Sequence, residues 1–157
     1  MFERLTQIIL GLISVTALTL SQSSFELDEE NQNHLYPCWT YMNCYAGEGG
    51  PEQQKRDECL AFLQDSDFSN GMDNVKKNAY KLENDDLLPL VKEYCAKQDS
   101  ERRNAFEKVT QGMANYYMLT CSTPGKHEEC GRYGDTTECL NAYLDELKTQ
   151  KKCVIPK

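Results

Sequence analysis

The sequence is poor in the residues that catalysis and metal binding use most. It has two histidines, His34 and His127, and one tryptophan, Trp39. A structural zinc site wants four ligands in two closely spaced pairs. His127-x-x-Cys130 offers one such pair and His34 lies far from it, so no metal ligands are assigned. Serine catalysis needs a base beside the nucleophile, and neither histidine stands near a Gly-x-Ser-x-Gly elbow. The glycine motifs that cradle phosphates or dinucleotides are missing too. These absences predict a non-enzymatic protein that takes no cofactor.

Alternating strand patterns are absent and β-branched residues are few, which excludes a sheet protein. No internal repeat recurs at a period of about 20–50 residues, which excludes a solenoid. Long apolar runs are limited to one, Ile8–Leu20, preceded by Arg4 and followed by Ser21 and Ser23. It falls short of the roughly 20 residues that a membrane-spanning helix needs. The flanks are those of a secretory signal peptide, assigned to residues 1–23. The expected product is therefore secreted and extracellular, with no transmembrane segment.

Cysteine is what the chain has in excess. All eight, Cys38, Cys44, Cys59, Cys95, Cys121, Cys130, Cys139 and Cys153, follow the signal segment. An even count in an exported chain predicts four intramolecular disulfides. The same parity argues against a catalytic thiol, which would leave another cysteine unpaired. Spacing alone leaves the connectivity open. The net charge of −8 repels phosphate backbones, so nucleic acid is not an expected partner.

Residues 24–35 read as an acidic, flexible leader, and residues 36–157 as a single disulfide-rich helical domain. Apolar residues recur there at helical spacing. The stripes are Cys38, Tyr41, Met42 and Tyr45; Arg56, Cys59, Leu60 and Leu63; and Met72, Val75, Ala79 and Leu82. Further on come Leu87, Val91, Tyr94 and Cys95; Phe106, Val109, Met113, Tyr116 and Thr120; and Leu140, Tyr143, Leu144 and Leu147. The polar segment around Gly71 predicts a break. Pro124-Gly125, Gly131 and Gly134 predict a loop after Cys121, with Asp135 capping the last helix. The fold expected is all-α, a monomeric disulfide-stapled irregular bundle of five to six helices.

Such a bundle suits a protein that acts by binding another protein, as a toxin, an inhibitor or a haemolymph-type effector. Adjacent Tyr116 and Tyr117 cannot share one helical stripe, so one of them should face outward. Exposed aromatics and arginines serve recognition well. The candidate contact residues are Trp39, Tyr117, Lys126, Arg132 and Tyr133, the last three on the predicted loop.

Cys130 and Cys139 reproduce the final Cys-x8-Cys of insect odorant-binding proteins. The small, acidic, helical, secreted character of the chain is similar to that family as well. The family's Cys-x3-Cys pair is absent, and the chain has two cysteines more. The resemblance implies an alternative function, a carrier of a small apolar ligand in a helical pocket. The two readings differ in one observable. A carrier needs a pocket of roughly 300 Å³ or more, lined from several helices. A protein-binding effector needs only a filled core and exposed aromatics.

Overall fold

The computed structural model describes residues 33–155. The expected signal peptide and most of the acidic leader lie outside the described residues. Among the described residues six α-helices follow one another: α1 (Leu35–Thr40), continued by a π-helical turn (Tyr41–Tyr45), α2 (Pro51–Leu60), α3 (Asp65–Asn78), α4 (Leu87–Cys95), α5 (Asp99–Ser122) and α6 (His127–Thr149). No strand occurs among the described residues, so the fold is the expected all-α bundle. None of these helices is long and apolar enough to cross a membrane.

Four disulfides staple the helices. Cys38–Cys153 ties α1 to the segment after α6, and Cys44–Cys95 ties the π-helical turn to the end of α4. Cys59–Cys139 joins α2 to α6, and Cys121–Cys130 clips α5 to α6 beside the turn that connects them. Every cysteine is used. Cys38, Met42, Leu144 and Leu147 form a small packed core, with Leu35, Tyr41 and Tyr143 around it.

Two charged side chains of α2 are buried beside this core. The Arg56 guanidinium donates to Asn43 Oδ1 at 2.7 Å and pairs with Asp57 Oδ1 at 2.7 Å. The Glu52 carboxylate accepts from Lys152 Nζ at 3.0 Å. A buried charge persists only with such partners, because removal from water costs several kcal/mol per ion.

The structure corrects the sequence reading at two places. The predicted break around Gly71 is helix, since α3 begins at Asp65. A reciprocal cap starts it there: Gln64 and Asp67 each accept a backbone N–H from the other, the Gln64 amide reaching Asp67 Oδ2 at 2.9 Å. Gly71 then serves close packing. A Cβ at that position would stand 2.6 Å from the Tyr133 hydroxyl and 3.0 Å from the Met113 methyl.

The second correction concerns the predicted loop after Cys121. Only Thr123–Lys126 is irregular, around Pro124-Gly125, and α6 already begins at His127. Asp135 is thus a mid-helix residue, and Gly131 and Gly134 are helical. The propensity cost of about 1 kcal/mol per glycine is offset by tertiary ties. Cys121–Cys130 closes the hairpin, and the Tyr117 hydroxyl packs against Gly134.

Candidate functional site

The apolar stripes of α3, α4, α5 and α6 turn toward one another and meet only in part: Val75 and Ala79 approach Gly112, while other stripe residues stop short of their neighbours. Between them lies a cavity of about 330 Å³. Phe68 and Met72 of α3 and Leu90 and Val91 of α4 form one part of its wall; Phe106, Val109 and Met113 of α5 and Leu140 of α6 form another. Leu35 and Trp39 of α1 contribute from the side of the packed core. Phe106, Val109 and Leu140 remain only half-buried because their inward faces meet the cavity and not each other.

The mouth of the cavity follows from exposure. Among its lining residues, those that are also exposed are Thr110 and Ala114 of α5 and Thr137 and Asn141 of α6. The two helices run antiparallel from the Cys121–Cys130 bond, where the Cα atoms are 4.9 Å apart. One turn further Tyr117 faces Gly134. Continuing that register, a property of helix pitch, sets Ala114 beside Thr137 and Thr110 beside Asn141. Short side chains on both helices thus make a slot between α5 and α6.

Electrostatically the wall is nearly neutral. Its one charged side chain, Lys97, is already engaged with Glu93 at 3.6 Å and lies over the Tyr80 ring. Tyr94 shares a hydrogen bond with Thr40 at 2.7 Å, and Tyr133 donates to the Asp67 carbonyl at 2.5 Å. Burial raises both phenols well above the ordinary tyrosine range, so they stay un-ionised. Thr137 donates back to the Tyr133 carbonyl at 2.8 Å. Thr136, 5% exposed, has a hydroxyl with no hydrogen-bond partner among the described residues.

The candidate contact residues are placed differently from expectation. Tyr133 is 3% exposed and lines the cavity, so it is not a surface anchor. The helix that replaces the predicted loop turns its ring inward, against Tyr116 and Tyr117. Tyr117 and Trp39 are half-buried and line the cavity as well. Arg132 makes a two-pronged contact with Asp67, at 2.6 and 2.9 Å, which pins α6 to the start of α3. That contact, with the Gln64 amide, holds the Asp67 carboxyl below the usual carboxylate range despite its burial. Lys126 pairs with Glu129 at 2.9 Å. His127 is exposed, and its neighbour in the His-x-x-Cys motif, Cys130, is bonded to Cys121.

The sequence reading missed Phe68, Leu90, Thr136 and the four residues of the mouth. Phe68 and Thr136 carried a usable signal, since each stands four residues before a named stripe residue, Met72 and Leu140. The predicted break around Gly71 hid Phe68, and Thr136 lay in the first turn after the predicted Asp135 cap, ahead of the named stripe. Comparison with known proteins adds no relative: the chain matches no family model, no curated protein and no solved structure.

Proposed function

We propose that this chain is a secreted binding protein that carries a small apolar ligand in the cavity between α3, α4, α5 and α6. The observation that carries the reading is the cavity itself, about 330 Å³ behind an almost wholly apolar wall. Ligand pockets run from about 300 to 1,000 Å³. A bundle that only presents a surface has no use for a hollow of that size, because unfilled apolar space forfeits packing. The four disulfides agree with maturation in an oxidising compartment. Each methylene transferred from water contributes about 0.8 kcal/mol, against which the lost freedom of association is set. For a ligand of about ten carbons the gross gain is about 8 kcal/mol, so the net affinity is weaker than the micromolar level that this figure would give alone.

Fluorescence titration with the neutral probe N-phenyl-1-naphthylamine tests this. Saturable binding at one site per chain is expected, and the double variant V109F/L140F, which fills the cavity, should abolish it while leaving the helical circular dichroism intact. Absence of saturable binding by the wild-type chain would overturn the carrier reading.

The protein-binding reading retains one observation. Met118 and Leu119, adjacent on α5, are 61% and 55% exposed. A partner that docks there would be lost on M118E/L119E, and the probe would still bind.

A further inference from the structure

We infer that the ligand is a single unbranched aliphatic chain of about thirteen carbons, extended parallel to α5 and α6; this rests on the carrier reading above. The shape of the hollow points to it. Its wall follows α5 from Phe106 to Tyr117 and α6 from Tyr133 to Leu144. Each stretch advances eleven residues, which at about 1.5 Å per residue is about 16 Å of helix. The antiparallel register set at Cys121–Cys130 lays the two stretches alongside each other, with Tyr117 level with Gly134 and Phe106 beside Leu144. The slot of short side chains lies along the middle of this length, so a chain enters from the side.

Length and volume give the same carbon count independently. With C–C bonds of about 1.5 Å at near-tetrahedral angles, an extended chain advances about 1.25 Å per carbon, and about 16 Å holds about thirteen carbons. A buried apolar cavity of about 150 Å³ takes benzene, with its six carbons. At the same filling, the 330 Å³ of this cavity takes about thirteen. Spread over the length of the wall, that volume leaves a mean section of about 20 Å². This is room for one chain abreast, since non-bonded carbons keep about 4 Å apart. A compact ring system of equal carbon number would crowd the middle of the hollow and leave both ends empty.

Polar side chains along this length are committed, shielded or at its margins. Tyr94 shares its hydrogen bond with Thr40, and Tyr133 donates to the Asp67 carbonyl. Thr136 Oγ1 has almost no accessible surface, so a ligand does not reach it. Thr110, Thr137 and Asn141 open to water at the slot. The Tyr117 hydroxyl stands over Gly134 at one end, and Lys97 is held by Glu93 and the Tyr80 ring. What remains between the ends is apolar, with Phe68, Leu90, Val109, Met113 and Leu140 offering contact and no polar anchor. Selection then falls to the length and width of the ligand.

Displacement of N-phenyl-1-naphthylamine by 1-alkanols of eight to fourteen carbons reads the length. Affinity should rise about fourfold per carbon, the value of one buried methylene, and the rise should stop at about twelve to thirteen carbons. Width is read with 1-decanol and 1-adamantanol, ten carbons each, every affinity divided by the compound's octanol–water partition coefficient. On that scale 1-decanol should bind about fivefold or more tightly, because the compact isomer forfeits contacts at both ends. Phe106→Ala, which opens one end, should move the stop to longer chains. A rise that continues undiminished to fourteen carbons in the wild type, equal or better corrected binding of 1-adamantanol, or a stop unmoved by Phe106→Ala would each overturn the inference while leaving the carrier reading in place. If the probe itself does not bind the wild-type chain, both fall together.

Discussion

Around α1, the π-helical turn and α2, this bundle is filled and cross-linked: Cys38, Met42, Leu144 and Leu147 pack together, and three of the four disulfides reach these segments. Around α3 it is not cross-linked and only partly filled: Val75 is fully buried, whereas Phe68 is half-buried at the cavity. That helix carries no cysteine and borders the cavity. It is held to α5 by close approach at Gly112, where a Cβ would stand 2.8 Å from the Ala79 Cβ and 3.0 Å from Val75 Cγ2. It is held to α6 by Asp67, through Arg132 and Tyr133. Covalent staples concentrated on one side allow the other side to stay hollow.

The sharpest way to break this contrast is to remove the staple that crosses the packed side. Cys38 and Cys153 enclose the longest loop, with a sequence separation of 115, against 9 for Cys121 and Cys130. Chain entropy then favours Cys38–Cys153 by about 4–5 kcal/mol, against about 3 kcal/mol or less for the short clip. C38A/C153A should lose most of the stability measured by urea unfolding, and C121A/C130A clearly less. Equal losses would mean that the staples do not carry the difference between the two sides.

Truncation along α6 sharpens it further. Leu147 is fully buried in the packed core, whereas Leu140 is half-buried at the cavity wall. Leu147→Ala should cost about 3–5 kcal/mol, since it opens a void in filled surroundings. Leu140→Ala removes contacts that are already one-sided and should cost about 1–2 kcal/mol. Equal values in urea titrations would indicate that the wall residue is packed after all.

How far the sequence foretold these two sides differs in the same way. The stripe of α5 from Phe106 to Thr120 was legible because its spacing of three and four persists over five positions. The same stripe could not say whether it meets its neighbours or stops short of them. Periodicity reports which face turns inward, and the distance between faces depends on the disulfides and on the backbone approaches at Gly71 and Gly112. Gly71, Gly131 and Gly134 were misleading for a related reason. A glycine that ends a helix and one that admits a neighbouring side chain are identical in sequence, and only the Tyr133 hydroxyl above Gly71 tells them apart. Thr136 stood in the first turn after the predicted cap at Asp135 and outside the named stripe from Leu140 on, so its place in the wall was not read from the sequence.

A smaller effect comes from acid, through the carboxylates that hold each side. Arg132 keeps the Asp67 carboxyl below its ordinary 3.8. Glu52 is raised by burial, but Lys152 and backbone amides outweigh this and bring it below its ordinary 4.5. Groups depressed on folding contribute stability that is fully present above the unfolded values. That stability is lost as pH falls through the folded ones. Asp67→Asn should cost on the order of 2 kcal/mol at neutral pH, and its deficit against the wild type should shrink as the pH is lowered below about 4. A deficit in urea midpoint that stays constant with pH would show that the carboxylate's charge is not what secures α3.

The smallest effect on stability belongs to the slot between α5 and α6, where Ala114 is exposed at the cavity mouth. Ala114→Trp places a large side chain across it without touching the packed core. Its unfolding curve should match the wild type within about 0.5 kcal/mol, as for most surface changes. Stopped-flow mixing with N-phenyl-1-naphthylamine should show association and dissociation slowed by a similar factor, so that affinity changes little. A gate obstructs passage in both directions, whereas a wall residue alters the bound state and moves mainly dissociation. Slower dissociation alone would reassign Ala114 to the wall, and unchanged rates would place the mouth elsewhere on the hollow side.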